Sequence, residues 1–426
     1  MKKLVLSVIC IFLLISILPI YGQKTVEITF WHNMSREVDK KSIEESVDKF
    51  NKTHPYIRVK VLLVPGTETE VTKLMTAVAA GTGPDVYYLD RFTVAQRANE
   101  GVLECIEDWL IKIGVDVKKL KAEFFDFAIK EATFKGKLYA LPWDTDDRVL
   151  YYNKKLFKEA GLDPNKPPRT IAELDSYADK LTKIKGNVIE VFGLIPWYSQ
   201  GWHYTWGWAF GGEFYNERLE RFTFGTDKKI IESYKWQKRY ADKYGMATIG
   251  AFLGMFGPEV DPFIAGKLAM KVDGNWYLAN LRSFAPKDFE YGITYIPSID
   301  GKLTTWAGGW SLVIPKGAKN PKEAAEFIKY MATEGQIKYA IDTAHLPTIK
   351  AGVPELLKVD PEQKLFADLL SVAKCRPVVP VGALVWDKLT EARDYVLYGQ
   401  KTAEKALMDA QKECQEALDK ALGKKK

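Results

Sequence analysis

One short stretch of the chain combines side chains that could do chemistry: Trp143, Asp144, Asp146, Asp147 and Arg148. Charge runs usually face water, so the stretch could be a solvated surface loop. Two of its carboxylates could instead serve as acid and base in glycoside hydrolysis. The group could also bind a ligand, because carboxylates accept hydrogen bonds from hydroxyl groups, a guanidinium donates them, and an indole offers a flat apolar face. The residues alone leave all three open.

A second group of candidate binding residues is the aromatic segment 197–215. Its rings alternate with glycine, serine, glutamine and threonine, a pattern that suits rings presented on a concave surface. Stacked rings bind nucleobases or sugars, but acids and bases are interspersed and no polybasic stripe accompanies the rings. We therefore expect no nucleic-acid partner. We expect about half of the rings to face a sugar and the others to be core.

Length and composition indicate an exported globular protein with two lobes. At 426 residues the chain exceeds what one hydrophobic core usually serves, and its 47% hydrophobic and 27% charged residues are an ordinary globular composition. The apolar run 4–18 follows two lysines and is typical of a secretory signal peptide, with cleavage expected near Gly22. An uncleaved anchor is the alternative. Cys10 lies inside the run, so we expect a periplasmic, soluble chain without a lipid anchor.

Cysteine and histidine spacing predicts neither a metal site nor a cofactor. Cys105, Cys375 and Cys414 remain after cleavage, and an odd number leaves at least one thiol free. A bridge between Cys375 and Cys414 is allowed, although the helical stripe that holds Cys414 favours a buried thiol. The histidines are scattered without metal-ligand spacing. Because no nucleophile elbow or phosphate loop occurs either, we expect that the protein is not an enzyme.

The chain begins with a β-α-β pattern that positions the first candidate residues. A strand ends at Trp31, an amphipathic helix follows, and a second strand spans 57–64. Such strands are expected to be parallel, which predicts the α/β class. Ligands in these sheets bind beyond the carboxyl ends of strands. This places Trp31 and Asn33 at a site-forming edge, and Asp90 with Arg91 after the next strand.

Two later strand ends carry indoles. Asn275 and Trp276 follow a predicted strand, and Trp306, Gly309 and Trp310 precede another. Glycine lets the backbone approach a ligand closely, and indoles flank the glycine on both sides. We expect both segments to contribute to the binding site.

The order of several short motifs resembles the sugar-class extracellular solute-binding proteins of bacterial ABC importers, a maltose-binding-protein-like family. The motifs span nearly the whole chain after the predicted signal peptide, and together they are specific where each alone is weak. They occupy residues 28–32, 50–55, 80–86, 150–154, 157–162, 266–270 and 309–315.

The resemblance implies a two-lobe type II periplasmic-binding-protein fold with a ligand cleft between hinged lobes. It assigns residues 1–22 to the signal peptide, 23–136 and 304–338 to the N-terminal lobe, and 137–303 and 339–426 to the C-terminal lobe. The chain would cross between lobes near residues 136–142, 303 and 339. A monomer that closes on a carbohydrate and presents it to the permease subunits of an importer is the implied function.

The resemblance also implies roles for individual residues. Asp90 with Arg91 is similar to the family's acid and arginine pair, Trp276 to its sugar-stacking indole, and Gly309 with Trp310 to the edge of its return crossing. The residues from Trp143 to Arg148 would lie where the first crossing opens into the cleft. Trp202, Tyr204 and Trp206 would lie where the family places a sugar-stacking loop.

A nearby subgroup, the glycerol-phosphate, glycerophosphodiester or polyol binders, is an alternative. A phosphate ligand would need Arg36, Arg91 or Arg148 unpaired. The three nearby acids Asp144, Asp146 and Asp147 favour sugar. A secreted glycan-degrading enzyme with Asp144 and Asp147 as acid and base is the more distant alternative.

Overall fold

A computed structural model of the protein describes residues 25–64, 71–186, 188–257 and 260–424. The predicted signal peptide, residues 1–22, lies outside these ranges, and its cleavage stays a prediction. Within the described ranges, no helix is at once long and apolar enough to cross a membrane.

Strands and helices alternate along much of the chain, which confirms the predicted α/β class. The strands are Val26–His32, Ile57–Leu63, Val86–Asp90, Thr133–Phe134, Lys137–Leu138, Ala140–Pro142, Asp144–Thr145, Arg148–Asn153, Lys183–Lys185, Val188–Leu194, Tyr215–Asn216, Arg221–Phe222, Leu268–Gly274, Tyr291–Thr294, Thr305–Trp306, Trp310–Val313, Leu346–Pro347 and Ala373–Lys374. The α-helices are Glu37–Thr53, Thr72–Ala79, Val94–Asn99, Ile106–Lys112, Val117–Glu123, Asp126–Glu131, Lys154–Glu159, Ile171–Leu181, His203–Ala209, Lys228–Tyr244, Met246–Gly254, Tyr277–Phe284, Pro321–Tyr330, Gln336–Thr343, Gly352–Val359, Lys364–Leu369, Gly382–Leu397 and Ala403–Ala421. Short 3₁₀ turns at Arg91–Thr93 and Pro361–Gln363 and a π-helical turn at Met331–Gly335 complete the set.

The first sheet has five strands, in the spatial order Ile57–Leu63, Val26–His32, Val86–Asp90, Trp310–Val313 and Ala140–Pro142. Val26–His32 pairs in parallel with both of its neighbours, as the β-α-β pattern predicts. Trp310–Val313 runs antiparallel to both of its neighbours, Val86–Asp90 and Ala140–Pro142. The carboxyl ends of Val26–His32 and Val86–Asp90 therefore meet at one edge of this sheet.

The second sheet has the spatial order Tyr291–Thr294, Arg148–Asn153, Leu268–Gly274, Val188–Leu194 and Lys183–Lys185. All residues of Arg148–Asn153 are buried. Val149 and Tyr151 pack into one core, and Leu150 and Tyr152 pack into another. Alternate side chains of a strand point to opposite faces, so helices cover both faces of this sheet.

The helix Glu37–Thr53 packs on the first sheet and positions one wall of the space between the lobes. Ile43, Val47 and Phe50 recur at helical spacing and are buried in the first core. Acidic residues occupy its first turn and Lys52 its last, an arrangement that complements the helix dipole. Because the helix directly follows Val26–His32, its amino end lies at the edge where the parallel strands end.

The first lobe is built on the first sheet and the second lobe on the second sheet. Three chain passes connect the two lobes, at residues 143–147, 304–309 and 344–348. Asp144–Thr145 pairs antiparallel with Leu346–Pro347, and Asp146 forms a bridge to Gly308. The passes thus lie side by side as a narrow ribbon between the sheets.

The positions of two passes differ from the predicted crossings near residues 136–142 and 339. Ala140–Pro142 is a strand of the first sheet, because it pairs with Trp310–Val313. The helix Gln336–Thr343 packs against Glu37–Thr53, where Ser42 Oγ donates to Asp342 at 2.6 Å and Tyr339 Oη donates to Asp39 at 3.2 Å. Both elements belong with the first sheet, whereas the predicted lobe boundaries placed residues 140–142 and 339–343 in the other lobe.

The three cysteines of the described chain, Cys105, Cys375 and Cys414, are free thiols. The bridge between Cys375 and Cys414 that the sequence allowed is therefore not formed. Cys414 is buried on the helix Ala403–Ala421, as its apolar stripe predicted. Burial raises the pKa of the Cys414 thiol to about 12, which makes this thiol a poor nucleophile at neutral pH.

Arg91 is fully buried and holds the passes together instead of facing a ligand. Its Nε donates to Glu131 at 3.1 Å. Its Nη1 donates to the carbonyl oxygens of Asp144 at 2.8 Å and Trp310 at 3.2 Å, and its Nη2 donates to the carbonyl of Gly308. The prediction that Arg91 lines the binding site is therefore wrong, because backbone carbonyls and a buried carboxylate already engage its donors.

Replacing Arg91 should destabilise the protein strongly. In Arg91→Ala, Glu131 loses one of its cations and buried carbonyls of the passes lose their donor, so we expect the free energy of unfolding to fall by about 3 kcal/mol or more. Urea unfolding measures this change. The matched control is Arg221→Ala, which removes an arginine that is 58% exposed and 3.7 Å from Asp419. A loss in Arg91→Ala no larger than in the control would contradict the clamp role.

Candidate functional site

A cleft of about 880 Å³ lies between the two lobes. On one side it is lined by the segments that follow Val26–His32 and Val86–Asp90, where the carboxyl ends of these strands meet. On the other side it is lined by residues 200–202 and by the segment after Leu268–Gly274. Ligands of open α/β sheets bind at such strand ends, so this cleft is the candidate site.

The cleft brings together many of the residues that the sequence analysis selected. They come from widely separated segments, and seven of them are charged or indole side chains. Those that line the cleft are Asn33, Asp90, Asp146, Arg148, Trp202, Trp276, Trp306, Gly309 and Trp310.

Arg148 is the centre of the wall formed by the second lobe. Its guanidinium lies 3.4 Å from the ring centroid of Trp306 and 5.1 Å from that of Trp276. It forms an ion pair with Asp146, and its Nε donates to Gln200 Oε1 at 3.3 Å. Burial lowers the pKa of Arg148, although the carboxylate of Asp146 opposes this effect. A planar cation thus lies against two indoles.

Arg376 and Trp386 also line the cleft, although neither was predicted from the sequence. Arg376 donates to Asp90 at 3.2 Å and lies 4.1 Å from the ring centroid of Phe92. Trp386 lies on the helix Gly382–Leu397, and its ring centroid is 5.1 Å from that of Trp202. No local sequence signal marks these two as site residues. Arg376 stands alone between a cysteine and a proline, and Trp386 is one indole on an amphipathic helix.

The amino end of Glu37–Thr53 contributes Arg36, which the sequence analysis considered only for a phosphate ligand. Arg36 forms two hydrogen bonds with Asp39, at 2.7 and 2.8 Å, and its Nη2 also lies 2.8 Å from His345 Nε2. A guanidinium only donates, so Nε2 of His345 accepts and its Nδ1 carries the proton. That Nδ1 lies 3.4 Å from Asp144.

Three predicted ligand-stacking residues are instead core residues: Trp143, Tyr204 and Trp206 are at most 1% exposed. Trp143 packs against the rings of the first lobe. Tyr204 and Trp206 lie on the helix His203–Ala209, all of whose residues are buried, and Trp206 Nε1 donates to the carbonyl of Pro196 at 2.7 Å. Of the rings in the aromatic segment, Trp202 lines the cleft.

Asp144 does not line the cleft but positions a residue that does. It accepts from the backbone N–H of Trp310 at 2.8 Å and from Tyr88 Oη at 2.9 Å. The ring of Tyr88 in turn stacks on Trp310, with centroids 4.7 Å apart. Burial alone would raise the pKa of Asp144, but the hydrogen bonds, led by that of His345, lower it. An ionised Asp144 thus holds Trp310 in place.

Asn275 and Trp31 also lie outside the cleft lining, contrary to expectation. Asn275 is buried, and its Nδ2 donates to the carbonyl of Ala344 at 3.0 Å, which ties a strand end of the second lobe to the third pass. Trp31 is partly buried at the end of its strand, with Lys73 Nζ 5.8 Å from its ring centroid. Both positions were selected because they lie at the ends of strands. Asn275 is excluded by its burial, whereas Trp31 is partly exposed but does not line the cavity.

Gly309 serves chain packing as well as the cleft. Its φ is +124°, and a Cβ there would lie 2.4 Å from the carbonyl oxygen of Asp144. At Gly308, a Cβ would lie 2.8 Å from Asp146 Oδ1. The glycine was predicted to let the backbone approach a ligand closely. In the structure it lets the backbone of the neighbouring pass come close.

The acid–base pair considered from the sequence is not assembled in the cleft. Asp144 and Asp147 are 2% and 0% exposed, and neither lines the cavity. Both carboxyl oxygens of Asp147 are buried without a hydrogen-bond partner among the described residues. Burial, and then the charge of Asp146, raise the pKa of Asp147 well above its usual range. No set of three or more potential metal ligands occurs in the described part of the chain either.

Comparison with known families and curated proteins finds one family and several relatives. Residues 35–338 match the family model described as bacterial extracellular solute-binding protein. The sn-glycerol-3-phosphate-binding periplasmic protein of Pectobacterium atrosepticum is 28% identical over 78% of this chain and 75% of its own. The maltotriose-binding protein of Pyrococcus abyssi is 25% identical over 89% of this chain and 79% of its own.

Solved structures show the same fold. A protein named CpMnBP1, with mannotriose bound, is 31% identical, covers 92% of this chain and all of its own (100%), and superposes with a TM-score of 0.77. A substrate-binding protein of Listeria monocytogenes in complex with cycloalternan is 25% identical, with 94% and 100% coverage and a TM-score of 0.75. The two-lobe fold implied by the family resemblance is confirmed.

Removing the carboxyl group of Asp147 should change how stability depends on pH. A carboxyl whose pKa is raised by folding favours the folded state below its unfolded pKa of about 3.9 and loses that contribution as pH rises towards its folded value. We therefore expect Asp147→Asn to gain stability relative to the unchanged protein as pH rises from 4 to 8. Thermal unfolding of both proteins across this range measures the gain. A difference in melting temperature that is constant with pH would contradict it.

Proposed function

Because this chain belongs to the bacterial extracellular solute-binding protein family, we propose that it binds a sugar or oligosaccharide between its two lobes and delivers it to an ABC-type importer. The observation that carries the proposal is the surface of the cleft, which combines five indoles with carboxylates and guanidinium groups. The indoles are Trp202, Trp276, Trp306, Trp310 and Trp386.

Such a surface matches the two faces of a sugar. The C–H groups of a pyranose ring form an apolar face that packs on an indole. The hydroxyl rim needs acceptors such as Asp90 and Asp146 and donors such as Arg148 and Arg376. Mannotriose and cycloalternan are the ligands of two structural relatives, which supports a carbohydrate for this chain.

The charge pairing in the cleft favours a neutral ligand over a phosphate ester. Arg36 pairs with Asp39, Arg148 with Asp146, and Arg376 with Asp90. A phosphate would have to compete with these carboxylates, and one further acid, Asp387, lines the cavity. The glycerol-3-phosphate-binding relatives make such a ligand the second candidate.

The remaining parts of the proposal follow the family. The receptor is non-enzymatic, monomeric and located outside the cytoplasm, in the periplasm, after cleavage near Gly22 and without a lipid anchor. The lobes close on the ligand about the three passes, and the closed form engages the permease subunits of the importer. Ligand binding thereby shifts the equilibrium between open and closed forms towards the closed form.

A ligand screen tests the proposal directly. Because a ligand that binds only the folded state raises the melting temperature, mannotriose, maltotriose or a related oligosaccharide should raise it, and glycerol 3-phosphate should not. A rise with glycerol 3-phosphate alone would replace the sugar by the second candidate. Release of reducing sugar from an oligosaccharide by the purified protein would refute a purely non-enzymatic receptor.

The indole of Trp276 should contribute to affinity. It lines the cleft, and we expect Trp276→Ala to weaken binding of the best sugar from the screen by about 1–3 kcal/mol through lost ring contact. Calorimetric titration measures the change. The matched control is Trp109→Ala, because Trp109 is a partly buried indole of the first lobe that does not line the cleft. If the two variants bind the sugar with equal affinity, Trp276 does not contribute to the binding site.

A further inference from the structure

We infer that the ligand extends out of the interlobe cleft into a second cavity on the second lobe, so that the protein selects long oligosaccharides. The inference rests on the proposed function. The second cavity has a volume of about 1000 Å³, compared with about 880 Å³ for the cleft. Asn280 lines both cavities, so the two spaces adjoin at this residue.

Two chain segments supply side chains to both cavities. Gln200 faces the cleft, whereas Tyr198 of the same segment lines the second cavity. Trp276 faces the cleft, and its neighbour Tyr277 lines the second cavity. The shared wall is thus built from neighbouring residues of one helix start and from residues two positions apart in one loop. A ligand that leaves the cleft at this wall meets the second cavity directly.

The helix Tyr277–Phe284 provides the path between the cavities. Trp276, Asn280 and Phe284 follow each other at intervals of four residues, which places them on one face at steps of about 6 Å. Asn280 is exposed, and Phe284 is 74% exposed at the far end of this face. A phenylalanine ring this exposed is available to a ligand that runs along the helix.

The second cavity also combines aromatic rings with a carboxylate, although its lining is more apolar than that of the cleft. It is lined by the rings of Tyr198, Phe256, Tyr277 and Phe284, and by the carboxylate of Asp261. Aromatic faces beside a carboxylate are the surface that a hydroxylated ring requires. Further sugar units of a bound oligosaccharide therefore fit this cavity.

A buried lysine compensates the charge of that carboxylate and fixes the wall. Lys271 Nζ lies 2.8 Å from Asp261 and 2.8 Å from Asp273, and 3.8 Å from the ring centroid of Tyr277. Asp273 also accepts from Ser199 Oγ at 2.8 Å. The lysine thus connects the segment that supplies Tyr198 to the strand that leads to Trp276. As in the cleft, the acid that faces the cavity is already paired, which again favours a neutral ligand.

The experiment compares short and long oligosaccharides by calorimetry. Mannobiose, mannotriose and mannohexaose are titrated into the full-length mature protein, and maltotriose and maltohexaose form a second series. We expect the hexaose of the series that binds to exceed the triose in affinity by about tenfold, the scale of one added ring contact. In Phe284→Ala we expect most of this gain to disappear while the affinity for the shorter sugar stays the same.

The matched control is Ile111→Ala, which removes an apolar side chain that is 58% exposed on the first lobe. It should leave the affinities for short and long sugars unchanged. If the triose binds but the hexaose binds no tighter, or if the gain persists in Phe284→Ala, the second cavity does not hold the ligand and the inference fails while the proposed function stands. If no sugar of either series binds, the inference and the proposed function both fail.

Discussion

A buried cluster of four charges lies where the chain passes between the lobes, and the geometry of the site depends on it. Arg91 and Arg376 both contact Glu131, and Arg376 also contacts Asp90. Buried charges are costly unless each finds a partner, and here the partners come from separate parts of the chain. The cluster is satisfied only when those parts come together. Once they do, the remaining donors of Arg91 bind carbonyl groups of the passes and hold the passes in position beside the cleft.

The same pairing principle determines the chemistry of the cleft. Arg148 and Arg376 face the cavity with their charges already compensated by Asp146 and Asp90. Each guanidinium also lies over an aromatic ring. Such groups act as hydrogen-bond donors and as parts of a flat surface rather than as unmatched cations. A neutral, hydroxylated ligand gains from both properties, whereas an anion would have to displace a carboxylate.

Much of the fold could be predicted because its signals are local. Alternation in Val26–His32, helical spacing in Glu37–Thr53 and the return to alternation in Ile57–Leu63 predict a parallel β-α-β unit, which the strand pairing shows. Strand ends then predict site positions, and Asp90 and Trp276 do line the cleft. The lobe boundaries were less predictable, because two short elements pair with partners that lie far away in sequence.

By itself, the sequence determined the α/β class and the strand ends at which a site could form, because periodicity and strand ends are properties of neighbouring residues. Only the tertiary structure decided which rings and charges face the ligand. Trp206 is core and Trp386 lines the cleft, although both lie on helices rich in apolar residues. Arg91 is a clamp and Arg376 faces the cavity, although both contact Glu131. These outcomes depend on contacts between distant segments, and residue type and spacing do not encode which face of an element such contacts will cover.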